Sequence, residues 1–253
     1  MLSTRLISGL LLLSVCAAAQ LLLRGSADAG GFSPAPWIHW DCEEGSGTTC
    51  ADLGTASNTL NLLASTNDPD WLTSPGGLDF DINDAATATT SPNLAFHSQE
   101  YTICTTSART LTSGTRKGLI GEYDGQGWKL DLNTGGVPHF SIFESGSNRM
   151  LQRFGSALGQ DVPTFICVAL DTPPVQSTTG FYVDGAAVSF VNEGNALTGD
   201  PPYAGTLLQV GTMQSGGEGL VKTWNVLIWQ QKLDSTEIAA ACNEFTEGLV
   251  TCP

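Results

Sequence analysis

Three aspartates stand close together in "GLDFDIND", residues 77 to 84: Asp79, Asp81 and Asp84. Paired carboxylates are the equipment of a glycoside hydrolase, in which one carboxyl protonates the leaving oxygen and its partner acts as nucleophile or base, roughly 5–5.5 Å away in the retaining geometry. Parity argues against that chemistry here. In an extended strand Leu78, Phe80 and Ile82 point one way and Asp79 and Asp81 the other, with Asp84 on the Leu78 parity or past the strand end. Glutamate, with the longer arm, is the usual residue in such pairs, and no partner acid is placed across a cleft from these aspartates. The stretch reads as a strand with a solvated acidic face, and catalysis is not expected. Other catalytic patterns are absent: the chain contains no G-x-S-x-G, no phosphate-binding G-x-x-x-x-G-K-[ST] and no H-E-x-x-H.

Binding residues are a different matter. In "EYDGQGWKLDLN" Asp124 and Trp128 flank a glycine turn, and His139 follows near the next strand-like run. Sugar sites combine an aromatic plate for the apolar ring face with polar groups for the hydroxyls, so Asp124, Trp128 and His139 are the ligand-binding candidates. The competing reading makes Trp128 a core residue, because Leu130 and Leu132 share its parity. For a metal, calcium is the ion suited to loop oxygens, and Asp41, Asp52, Asp81 and Asp84 are the candidate ligands. The alternative is turn chemistry, in which Asp and Asn bond to local backbone without any ion. No motif requires a cofactor.

The elements that must hold these residues are short alternating runs: "GLDFDI", "GWKLDLN", "HFSIFE", "TFICVAL", "GFYVDG" and "VKTWNVLIW". Gly, Asn, Asp and Pro clusters separate them at the spacing of a sandwich. "FYVDGAAVSF" places Asp184-Gly185 between two strands, a pair favoured in type I′ hairpins because both turn positions need positive φ. "ESGSNRM", 144 to 150, reads as a hairpin loop. One segment is helical, "LDSTEIAAACNEF", where Asp234 and Glu237 form a capping box.

The chain opens with "MLSTRLISGLLLLSVCAAAQLLLRGSADAGG", read as a signal peptide over residues 1–29 with cleavage after Ala19 or Ala29. A linker, 30–36, then leads into one domain, 37–253. The whole chain carries a formal charge of −15, and removing the signal peptide takes away Arg5 and Arg24 against only Asp28. Nucleic acid is excluded as a partner because no basic patch exists to meet its phosphates, and no membrane insertion is expected once the signal peptide is gone. An exported chain forms disulfides, and Cys42, Cys50, Cys104, Cys167, Cys242 and Cys252 remain after cleavage. The close couples Cys42/Cys50 and Cys242/Cys252 suggest two local loops and leave Cys104 with Cys167.

Taken in order, "WIHWDCEEGSGTTCADLG", "WLTSPGGLDFD", "YVDG", "VG" and "GLVKTWNVLIWQQKLDSTEI" resemble the motifs of a concanavalin A-like jelly roll of the laminin-G-like type, over residues 37 to 241. The resemblance implies an all-β fold, a two-sheet antiparallel jelly-roll sandwich closed by a short C-terminal helix. "YTICTTS" and "TFICVALD" are similar to the two strands that pentraxins join by a disulfide, which also implies a Cys104–Cys167 bridge. The polar and tryptophan pattern of pentraxins is replaced here by Val168, Ala169 and Leu170. The function expected is a secreted or surface-exposed recognition module whose partner is a carbohydrate or a cell-surface protein. A structural or adhesion subunit is the alternative, and a glycoside hydrolase the second alternative.

Overall fold

The computed structural model describes residues 32–62, 68–82, 84–90, 94–110, 116–123, 127–144, 149–175, 177–194, 197, 208–211 and 220–253. The predicted signal peptide, the first residues of the predicted linker, Asp124 and most of the "ESGSNRM" loop lie outside them. Pro34–Pro253 form one compact unit.

Two antiparallel sheets face each other. The first has eight strands: in spatial order β14 (Ala186–Ala187), β13 (Gly180–Val183), β12 (Thr164–Leu170), β7 (Tyr101–Arg109), β17 (Val221–Trp229), β5 (Gly76–Phe80) and β4 (Asp70–Thr73), with β1 (Ile38–Trp40) also paired to β17. The second has nine: β15 (Phe190–Asn192), β11 (Arg149–Phe154), β10 (Pro138–Phe143), β9 (Gly127–Leu132), β8 (Lys117–Tyr123), β16 (Gln209–Gly211), β6 (Ala85–Ala88), β3 (Leu60–Asn61) and β2 (Thr49–Cys50).

Period-two alternation sorts the side chains. Ile103, Ile166, Val168, Leu78, Phe80, Val226 and Ile228 from the first sheet meet Ala86, Val210, Ile120, Leu130, Phe140, Ile142 and Met150 from the second in one core. Burying each large apolar side chain in it contributes about 1.5–3 kcal/mol.

The outer face of the eight-stranded sheet is covered by the single described helix, α1 (Ser235–Phe245). Phe245 packs edge-on to His39 and Trp229, and its carbonyl accepts a 2.6 Å hydrogen bond from Asn225 Nδ2. Asn225 lies just past a bulge in β17, and its own side-chain oxygen takes the Thr106 N–H of β7. The Asp184-Gly185 hairpin has positive φ at both residues as expected, and it serves the helix as well: a Cβ on Gly185 would stand 3.1 Å from Cys242 Cβ and 3.3 Å from Ala239 Cα. Three disulfides join Cys42–Cys50, Cys104–Cys167 and Cys242–Cys252.

The predicted capping box is present. Asp234 accepts from the Thr236 and Glu237 N–H groups, and Glu237 accepts from the Asp234 N–H. Asp234→Ala is expected to cost about 1 kcal/mol and to lower the melting temperature by about 2–4 °C. Calorimetry on the single variant, with Glu237→Ala as a milder companion, checks this.

Candidate functional site

On the nine-stranded sheet, polar side chains gather on the face turned away from the core, where they are nonetheless buried. The neighbours Leu130, Leu132, Phe140 and Ile142 are in the core, so alternation turns Lys129 and Asp131 of β9 and His139 and Ser141 of β10 outward. Register then sets them side by side, with Lys129 opposite Ser141 and Asp131 opposite His139. The Lys129–Ser141 row runs on through Gly121 to Gln209 and Thr87 on one side and to Leu151 on the other. The Asp131–His139 row continues to Arg153 of β11. A Cβ on Gly121 would lie 2.8 Å from Lys129 Cα, so only glycine lets the lysine backbone and stem lie this close.

Asp131 is the centre of the cluster. Its Oδ1 is 2.9 Å from His139 Nδ1, and its Oδ2 is 3.2 Å from Lys129 Nζ and 3.5 Å from an Arg116 guanidinium nitrogen. Burial pushes the Asp131 carboxyl up, but the His139 hydrogen bond and the charges of Lys129 and Arg116 outweigh it and hold the group below the usual carboxylate range. Burial pulls the Lys129 ammonium down, and Asp131 opposes that shift. An ionised Asp131 accepts, which places the ring proton of His139 on Nδ1. Ser141 Oγ is 3.3 Å from the same nitrogen. In a nucleophilic triad the serine faces Nε2 while the carboxylate holds Nδ1, so this trio has the residue types of a hydrolase without the geometry.

The sequence candidates fare differently. His139 sits in the cluster. Trp128 belongs to the core cluster between the sheets, packs against Phe96 and Phe140, and donates its indole N–H to Glu122 Oε2. The parity shared with Leu130 and Leu132 turns the ring inward, as the competing core reading has it. Asp124 falls outside the described residues.

Three of the four metal-candidate carboxylates are engaged locally. Asp52 accepts from the backbone N–H groups of His39, Gly54 and Asn58, Asp84 accepts from Asp81 N, and Asp41 makes a 3.4 Å contact with Glu43 N. Among the described residues no group of three or more His, Cys, Asp or Glu is placed to hold a metal ion. Turn chemistry accounts for the hydrogen bonds of Asp52 and Asp84. Burial, reinforced by Glu44 and Glu247 and opposed by the Glu43 N–H, pushes the Asp41 carboxyl up to about 6.

The aspartates of "GLDFDIND" do not pair. Asp79 stands opposite Asp70 on β4 and Lys222 on β17, and Asp81 is exposed beyond the strand. Burial raises the Asp79 carboxyl, Lys222 works against the shift, and the charges of Asp81 and Asp70 add to it.

Sequence reasoning missed Lys129, Asp131, Ser141 and Arg116. The signal was there in "KLD" and "HFS", two adjacent runs with polar residues on the parity opposite the core.

No protein-family model matches the chain, and neither does any curated protein. Solved structures do match. The binding domain of Paraclostridial Mosquitocidal Protein 1 superposes with a TM-score of 0.65 at 13% identity, over 83% of this chain and 52% of that one. The botulinum neurotoxin serotype G binding domain gives 0.63 at 13% identity, over 82% and 50%. Trypanosoma rangeli sialidase in complex with sialic acid gives 0.58 at 15% identity, over 88% and 37%. This chain thus spans about half the length of the two toxin domains and less of the sialidase. At these identities the likeness is one of fold alone, that of a jelly-roll β-sandwich.

Proposed function

We propose that this protein is a secreted or surface-exposed recognition module that binds carbohydrate without catalysis, through the outer face of its nine-stranded sheet. The observation that carries the reading is the Lys129–Asp131–His139–Ser141 cluster, four polar side chains from adjacent strands, each at most 3% exposed. Hydrogen-bonding groups fixed by neighbouring strands are what recognition of sugar hydroxyls requires. The order of sequence motifs supports a laminin-G-like assignment, and the Cys104–Cys167 bridge between β7 and β12 is the one the pentraxin likeness implies. The resemblance of fold to toxin binding domains supports a binding role in general terms. Asp124 is retained as a ligand-binding candidate on sequence grounds.

A glycan array run with and without calcium tests the reading. Wild-type protein is expected to bind a defined set of glycans, and His139→Gln to weaken that binding at least about tenfold, equivalent to about 1.4 kcal/mol. Trp128 is unsuited to this test, because its loss would perturb the core. A silent array accompanied by self-association would favour a structural or adhesion subunit, and sugar release from the array would favour a hydrolase.

A further inference from the structure

A tryptophan stands where the edges of the two sheets come together. β4 is the terminal strand of the eight-stranded sheet and β2 that of the nine-stranded one. Trp71 of β4 pairs with Leu78, a core residue, so its ring lies on the core-facing side of its sheet. At the edge strand that side is only partly closed, and the ring packs against the core while staying half-buried. Its indole N–H donates to Gly47 O at 3.1 Å, in the exposed run 44–49 that leads into β2. The ring therefore reaches from the edge of one sheet to the edge of the other in a fixed orientation, with its remaining surface toward solvent.

The loop beside it is small, polar and tied down. Residues 44–49 read Glu-Gly-Ser-Gly-Thr-Thr and are all exposed. The Cys42–Cys50 bridge closes the loop, and Thr48 O accepts the Leu62 N–H at 2.9 Å. Gly47 has a φ of 111°, and a Cβ on it would meet nothing within 4 Å. Bare backbone bordered by open space thus adjoins the indole. Ser46 and Thr48 place hydroxyls on either side of Gly47, and Thr73, exposed and on the parity of Trp71, adds one from the strand.

An immobilised aromatic surface with hydroxyls and free backbone around it suits a sugar ring, whose C–H face lies on the indole while its hydroxyls find polar partners. Charge narrows the class. Glu44 and Asp70 are exposed here, and no lysine or arginine occurs between Arg24 and Arg109, so the segments that build this edge supply no cation for an anionic ligand.

We propose that Trp71 and the 44–49 loop form a second saccharide site, which shares no residue with the outer-face cluster, and that its ligand is a neutral sugar chain with an apolar ring face, of the β-linked glucan kind.

Titration calorimetry on the disulfide-intact protein with a cello-oligosaccharide and an oligogalacturonate of equal length tests this. The neutral probe is expected to bind at least about tenfold tighter than the acidic one, with an affinity that does not change as salt rises from about 0.05 M to about 0.5 M. Trp71→Leu, which keeps an apolar side chain against the core, should weaken that binding at least about tenfold. The double variant Ser46→Ala/Thr48→Val, on exposed residues, should weaken it about threefold or more without changing the melting temperature. His139→Gln should leave it unaltered. Neutral binding that survives in folded Trp71→Leu and falls in His139→Gln overturns this site and leaves the outer-face reading standing. Tighter binding of the acidic probe, falling with salt, overturns the ligand class. Failure of the neutral probe to bind overturns the proposal, as does self-association that Trp71→Leu abolishes, which would make the ring a contact between copies of the chain. If Trp71→Leu does not fold, the Ser46/Thr48 variant decides, and an unaltered affinity there overturns the placement.

Discussion

Replacing both Cys104 and Cys167 with valine is expected to lower the melting temperature by about 8–16 °C, more than removing either of the other bridges. The two cysteines are 63 positions apart in sequence, and closing a loop of that length removes about 4 kcal/mol of chain entropy from the unfolded state. Cys42–Cys50 and Cys242–Cys252 close loops of 8 and 10 positions, for which the same relation gives about 2.5 kcal/mol each. The conversion to temperature uses about 2–4 °C per kcal/mol for a domain of this size. Location adds to the effect: Cys104 and Cys167 are cross-strand partners on β7 and β12, both without exposed surface. Valine keeps the sites apolar and filled, so the loss reports the cross-link more than a cavity. Calorimetry of the three double variants decides the matter, and equal losses from all three would refute the ranking.

Asp131→Ala is the most damaging single substitution expected at the polar cluster, at about 3–5 kcal/mol, because it removes the buried carboxylate that Lys129, Arg116 and His139 share. Asp131→Asn should cost less, since an amide still offers an acceptor to His139. The effect depends on pH with a definite sign. The folded-state value of Asp131 is depressed, so the carboxylate contributes its full stabilisation above the unfolded value of about 3.9 and loses it as pH falls through the lower folded value. Wild-type and Asp131→Asn melting temperatures should therefore differ at neutral pH and converge as the pH falls through the depressed folded value of Asp131. A difference that persisted unchanged into strong acid would mean that the charge of Asp131 is not what holds the cluster.

Much of the fold was legible in residue order. Asp184-Gly185 announced a hairpin because few other pairs accept two positive φ values in succession, and Asp234 with Glu237 announced the helix start because the cap is a local exchange of hydrogen bonds. The site was less legible. Trp128 attracted attention as an aromatic beside a glycine turn, yet its direction is set by the parity of Leu130 and Leu132, information also present in the sequence. What the sequence lacked was register. Nothing in "KLD" and "HFS" alone says that Asp131 falls opposite His139, because the offset between two strands is fixed by the turn joining them and by core packing. Arg116 is further removed still, reaching Asp131 from the start of a third strand.

The place of β17 in the eight-stranded sheet governs when that sheet can assemble. β17 spans Val221–Trp229 and pairs with β1, β5 and β7, all from the first half of the chain. During synthesis those earlier strands emerge with the slot between β5 and β7 empty, and pairing across it waits until the last fifth of the chain has been made. Such late, long-range closure is slow compared with helix or hairpin formation, and it leaves strand edges open in the interval. The slot between β5 and β7 thus stays open until β17 is made, and the strand that completes the sheet brings in α1 directly behind it.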